Sequence, residues 1–414
     1  MSLADRLTDV RPLRSSPAFR RLWVGTTLST VGGQLAVVAV LHQVWELTGS
    51  PVAVGAIGLA QAVPMVVFGL VGGSLADAVD RRRLVLLTTV GQTVAAGLLA
   101  VQALTGAGSL AILLGLVALQ AACGALGAPA RRTFAARLLP GDQVGAAIAL
   151  TKLGFQGAML LGPAVGGVLI AAWGVGACYL LDAITFGAAL YGVLRLPSMP
   201  PLARPDRPGL RAIVDGWRFI VRRRVLGGAF LSDVLATVLA MPIALFPMVN
   251  EERFGGNPQT LGLFLTAIAV GGIAAGAASG TVTRAARPGV VMLAAAAVWG
   301  VGIAGFGLAQ DAWLVLGCLA VAGAADTVSV IARGTIVQLA TPDSHRGRVS
   351  AVEHVIGVSG PDLGNLRAGL VAGATSASFA AVSGGLLCVG GVAALALTDR
   401  SLRRFRVPAD AQVP

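Results

Sequence analysis

Four ionisable residues stand inside stretches of sequence otherwise suited to hydrocarbon: Asp233, Asp326, Asp362 and Arg367. A charge at the centre of a membrane-spanning helix costs on the order of 2.5–3.5 kcal/mol on insertion scales, so each of these needs a reason to be there. Two chemistries fit. A carboxylate whose neutral form is favoured by desolvation can take up a proton at one membrane face and release it at the other. Alternatively, acid and base form a fixed buried ion pair that holds helices together. Asp326 falls at the midpoint of its apolar run and Asp233 in the inner third of its own. Asp362 and Arg367 share a third run, where five residues turn them about 140° apart, which does not point them at each other. Arg367 is instead matched with Asp326 on the preceding run, as a structural pair or as a modulated proton site. All four are proton-coupling candidates.

Gln34, Gln120, Lys152 and Gln156 are further polar points on apolar runs, as substrate contacts or as hydrogen-bonding glue between helices. Asp182 reads as a hydrogen-bonding structural residue. His42 and Glu46, one turn apart at the end of the first run, read as a solvated pair.

The elements that carry these residues are membrane spans. Only 12% of 414 residues are charged while 56% are hydrophobic, too little polarity to coat a soluble domain of this size. Twelve apolar runs, each long enough for a hydrocarbon core of about 30 Å, are legible. They cover 22–46, 52–76, 84–104, 110–130, 144–171 and 175–195, then 226–249, 260–282, 289–309, 312–335, 349–373 and 378–398. All but Lys152, Arg253 and Arg367 of the 31 lysines and arginines fall in the tails, the central linker or alternate loops. By the positive-inside rule both termini are cytoplasmic and the protein is a multi-pass protein of the inner or plasma membrane. The net charge of +12 is explained by attraction to anionic lipid, so nucleic acid is not an expected partner.

The expected organisation is an N-terminal tail 1–21, a six-helix half 22–195, a linker 196–225, a second six-helix half 226–398 and a C-terminal tail 399–414. The tail includes Arg6 and the linker Arg204 and Arg207. In the linker, Leu210, Ile213, Trp217, Ile220 and Val221 recur at helical spacing between Arg211, Asp215, Arg218 and Arg222, the pattern of an amphipathic helix on a membrane face. The halves repeat each other. Ala130-Arg131-Arg132-Thr133 returns as Ala332-Arg333-Gly334-Thr335, and Gly162-Pro163-Ala164-Val165-Gly166 as Gly360-Pro361-Asp362-Leu363-Gly364. Two motifs in matched order point to a duplicated six-helix unit, an architecture of secondary transporters.

At these residues the chain resembles the major facilitator superfamily over nearly its whole length. Gly73-Ser-Leu-Ala-Asp77-Ala-Val-Asp80-Arg81-Arg82-Arg83 is similar to the superfamily's loop 2–3 signature, with Ala78 for the usual Arg and Asp80 for the usual Gly. The run Gly157 to Gly167 resembles the motif of antiporters and exporters. Further stretches resemble the enterobactin-exporter and macrolide-efflux-type branch: Ser16 to Trp23, Pro129-Ala-Arg131, Asp182 to Phe186, Thr341-Pro342-Asp343, and Arg346-Gly347-Arg348. Ile243 stands where that branch commonly has an arginine.

The resemblance implies an all-α membrane protein of twelve transmembrane helices in two six-helix halves. Helices 1, 4, 7 and 10 then line a central cavity, and Asp182 lies on a peripheral helix. It implies a gating motif at Gly73, Asp77, Arg81 and Arg82, with Asp77 capping helix 11 and pairing with Arg81 or an arginine of loop 10–11. Helix-bending motifs are implied at Gly162, Pro163, Gly166, Gly360, Pro361 and Gly364. Their glycines permit close approach of helices 2 and 5 and of 8 and 11, and their prolines bend the helix.

There is no ATP-binding Gly-x-x-x-x-Gly-Lys-Ser/Thr loop, so the energy must come from an ion gradient or from the substrate itself. The function expected is proton-coupled export of a small amphipathic compound, a siderophore or drug, by a monomer in the lipid bilayer. No cofactor, metal or enzymatic activity is expected. Import of a nutrient or metal chelate, and a non-transporting sensor or scaffold, remain alternatives.

Overall fold

The computed structural model describes residues 9–200 and 210–407, with backbone alone for residues 70 and 210–213. Arg6, Arg204 and Arg207 lie outside the described residues, as do the side chains of Leu210, Arg211 and Ile213. No strand occurs among the described residues. Twelve long helices succeed one another among the described residues. In the first half they are α1 Pro17–Thr48, α2 Pro51–Ala78, α3 Arg81–Leu104, α4 Leu110–Arg132, α5 Gly141–Trp173 and α6 Val175–Leu194. In the second they are α7 Arg224–Ala240, α8 Pro258–Ala277, α9 Pro288–Leu308, α10 Ala312–Ala340, α11 Asp343–Ala374 and α12 Ala377–Thr398. After a break α7 resumes as a turn over Ile243–Leu245 and a helix Phe246–Phe254, making one span of 31 residues.

Eleven of the twelve are long and apolar enough to cross a membrane by composition. The twelfth, α11, has 32 residues but gathers Asp343, Arg346, Arg348, Glu353, Asp362 and Arg367. Its length is that of a span, and its charge content reflects what it contacts.

Local chemistry sets the boundaries. Asp80, Asn257, Asp311 and Ser376 cap α3, α8, α10 and α12, each side chain accepting a backbone N–H of the first turn. Gly174 and Gly255, at φ of +75° and +66°, make the sharp exits of α5 and α7 that a Cβ would strain. Large apolar side chains such as Leu98, Val101, Leu161, Trp313, Leu386 and Leu397 point outward, which suits a lipid solvent and would be untenable in water.

The chain divides into two compact units, one of residues 1–47 and 60–207, the other of 48–59 and 208–414. The first two turns of α2 therefore belong with the second unit. Their Gly55 and Gly58 lie so close to α11 that a Cβ would come 2.8 Å from the carbonyl oxygens of Asn365 and Asp362 respectively. In the second unit a linker helix, Leu210–Arg222, rests on the start of α11. Gly216 abuts the Arg348 backbone, Ile220 is buried, and the Phe219 ring stacks on His345 at 4.3 Å.

Candidate functional site

In the second unit the charges of three helices meet. Asp233 of α7 and Arg333 of α10 form an ion pair with only 11% and 9% of their side chains exposed. Glu353 of α11 approaches the Nε of the same arginine at 4.0 Å. Arg333, counted by its charge with the arginines of loop 10–11, lies within α10, which continues to Ala340. The signal for its importance was the repeated Ala-Arg motif; its acidic partners left no trace in local sequence.

Asp326 stands two turns back along α10, and it is within electrostatic reach of both Asp233 and Arg333. It is exposed and makes no hydrogen bond or ion pair among the described residues. Asp362 on α11 is half-buried and likewise has no ion pair among the described residues.

Arg367 does not reach Asp326. Its Nη1 donates to the Leu239 carbonyl at 2.6 Å and to that of Ala380 at 3.5 Å. Its neighbour Asn365 accepts from the Ala244 N–H through Oδ1 at 3.1 Å. Leu239 and Ala244 flank the break that Pro242 imposes on α7, where the intrahelical ladder is interrupted. Two polar residues of α11 thus satisfy backbone groups that hydrocarbon would leave unpaired.

The Gly-Pro motifs pack against partners other than those expected. A Cβ on Gly162 would strike Gln34 of α1, and Gly166 faces Leu35 and Val38. Gly360 and Gly364 meet Thr237 and Met241 of α7. The contacts are therefore α5 with α1 and α11 with α7, not helices 2 with 5 or 8 with 11. The two halves repeat this arrangement, and in each half the glycine face meets the helix that carries polar residues.

In the first unit Gln34 is half-buried against Gly162, Gln156 is half-buried, and Lys152 is exposed with no acidic partner among the described residues. Gln120 is committed elsewhere: its Nε2 donates to Asp182 at 3.0 Å, and Asp182 is fully buried. That is the structural role read for Asp182. A network missed from sequence lies one turn away, where Gln43 and Gln102 exchange hydrogen bonds at 3.2 and 2.9 Å and the Tyr179 hydroxyl donates to Gln43 at 2.8 Å. Arg131, the repeat counterpart of Arg333, donates to Gln92 of α3 at 2.8 Å. His42 and Glu46 pair at 3.2 Å with the glutamate largely exposed.

At the other end of the unit Asp77 pairs with Arg81 at 3.5 Å, and Arg82 donates to the Leu194 carbonyl at 2.7 Å. Gly73 has open space around its Cα. Asp80 has its own task. It caps α3 through the Arg83 N–H and accepts from the Ser198 hydroxyl and the Met199 N–H, tying loop 2–3 to the chain that leaves α6. Partial burial disfavours its charge, but these donors prevail and hold its carboxyl below the usual range.

Residues 7–410 match the family described as transmembrane secretion effector. The Enterobactin exporter EntS of Shigella boydii serotype 18 is 30% identical over 408 residues, covering 98% of this chain and 97% of that protein. The protein of the same name from Citrobacter koseri is 31% identical over 411 residues, covering 99% and 98%. Among solved structures, a POT family transporter in complex with 5-aminolevulinic acid superposes with a TM-score of 0.77 at 10% identity, covering 94% of this chain and 97% of that one. A bacterial homologue of the iron transporter ferroportin, in an inward-facing state, gives 0.67 at 15% identity, covering 92% and 98%. Identities this low speak to the fold alone.

Proposed function

This chain belongs to the transmembrane secretion effector family of the major facilitator superfamily, and from that premise we propose that it is a proton-coupled exporter of a small siderophore-like or drug-like compound. Relatives named as enterobactin exporters, matched end to end, support export and the substrate class. The observation that carries the coupling is the charge cluster of the second unit. There three carboxyl groups, those of Asp233, Glu353 and Asp326, gather near the single guanidinium of Arg333. Asp326 is the exposed member and has no direct partner among the described residues. It is the residue assigned to load and release the proton, while Arg333 is held in place by Asp233 and Glu353.

In this reading Gln34, Lys152 and Gln156 offer polar contacts to the substrate. Asp362 is a secondary proton site. Alternating access follows from movement at the α5–α1 and α11–α7 glycine faces, with Asp77 and Arg81 as part of the gate. The test is flux into inverted membrane vesicles, with and without a pH gradient, against a panel of siderophores and hydrophobic drugs. Gradient-dependent accumulation of at least one of these supports the proposal; flux indifferent to the gradient removes the proton from it.

A further inference from the structure

The short helix Arg400–Arg404 that follows α12 is docked rather than free. Asp399 caps it, accepting from the Ser401 and Leu402 N–H groups at 2.9 and 3.1 Å. Leu402 is fully buried between Gly228 of α7 and Gly289 of α9, where no larger residue would fit. This docking brings Arg400, Arg403 and Arg404 against Arg287, which precedes α9, and the four line a recess of about 530 Å³ together with Val290. Among the described residues no carboxylate lines it, since Asp399 is turned to its own helix and to Gly228. Among the described residues none of the four arginines has an acidic partner, and the buried Nε of Arg403 has no acceptor at all. The positive end of α9, a helix of 21 residues, adds to the same potential.

Four like charges gathered by a dedicated docking contact repel one another unless an anion is held between them. The geometry points to a binding site for a phosphate group, supplied by the head group of an anionic phospholipid. Guanidinium groups match phosphate oxygens bidentately. The lipid source follows from what lies beside the recess. Val290, in its wall, and Val301, three turns along α9 on the same face, are both exposed, giving acyl chains an apolar track away from the arginines. Basic pockets at the ends of spanning helices bind phospholipid head groups in this manner.

The test uses the purified full chain in detergent, with thermal melting followed as lipid is titrated in. Phosphatidylglycerol is expected to raise the melting temperature, whereas phosphatidylcholine and sodium phosphate at equal concentration are not. At about 1 kcal/mol per arginine, Arg287→Gln with Arg404→Gln should shift half-saturation by about thirtyfold. The single change Arg400→Gln, at an exposed residue, should shift it about fivefold, and it serves if the double variant does not fold. Arg218→Gln with Arg222→Gln, equal in charge but on the linker helix, should leave it unchanged. The assignment fails if the linker variant loses the effect equally, if the two lipids act alike, or if inorganic phosphate alone reproduces the shift.

Discussion

Arg367 donates a 2.6 Å hydrogen bond to the carbonyl of Leu239, at the point where α7 breaks. Asn365, two residues earlier on α11, takes the Ala244 N–H on the far side of the same break. A charge in mid-membrane is thereby explained by backbone polarity in the neighbouring helix rather than by an acidic partner.

This relationship makes a prediction about stability. Arg367→Gln should leave the Leu239 carbonyl unpaired and destabilise the protein by about 1–3 kcal/mol. Adding Asp326→Asn should not restore it, because the two side chains are not partners. Melting of the purified single and double variants checks this. Recovery in the double variant would show that the two charges are coupled after all.

Breaking the Asp233–Arg333 pair should cost more. Either Asp233→Asn or Arg333→Gln leaves a charge buried, at about 3–5 kcal/mol. The double variant should be less damaged than the two losses summed, since both charges leave together. A double-mutant cycle on yield and melting gives the coupling, and strict additivity would count against the pair.

Transport should separate Asp326 from these structural residues. Asp326→Asn should accumulate at wild-type levels and bind substrate, yet lose accumulation driven by a pH gradient in inverted vesicles. Normal gradient-driven transport by this variant would remove the proton role from Asp326.

At Asp80 the sign of the pH effect can be worked out. Its folded carboxyl titrates below the unfolded value of about 3.9, so the stabilisation it confers is full above that value. It is lost as pH falls through the lower, folded value. Asp80→Ala should lower stability by about 1 kcal/mol near neutrality, as loss of a helix cap does. The gap to wild type should close in acid. Melting curves across that pH range decide it, and a difference that persists at low pH would mean the residue acts through packing.

Orientation is testable by labelling. Ala107→Cys and Thr375→Cys, both at exposed turn positions, should react with impermeant thiol reagents in intact cells, whereas Arg83→Cys should not. The reverse pattern inverts the topology.

The apolar runs, their length and the arginine pattern determined the twelve-helix fold, because a span must satisfy its own backbone and so writes its boundaries into composition. Even α11, the least apolar, falls on one of the twelve runs and carries the repeated Gly-Pro motif. The duplication, and the importance of Asp233 and Asp326 as charges needing an account, were likewise fixed by sequence. The partners were not. Arg333 pairs with an aspartate one hundred residues earlier and Arg367 with a carbonyl on α7, and neither relation has any local periodicity. The same holds for the Gln43–Gln102–Tyr179 network and for the arginines gathered by Leu402. Helix formation is settled within a few turns of chain, whereas which faces meet depends on packing between helices distant in sequence. Only the tertiary structure decided whether a buried polar group found a charge, an amide or open space.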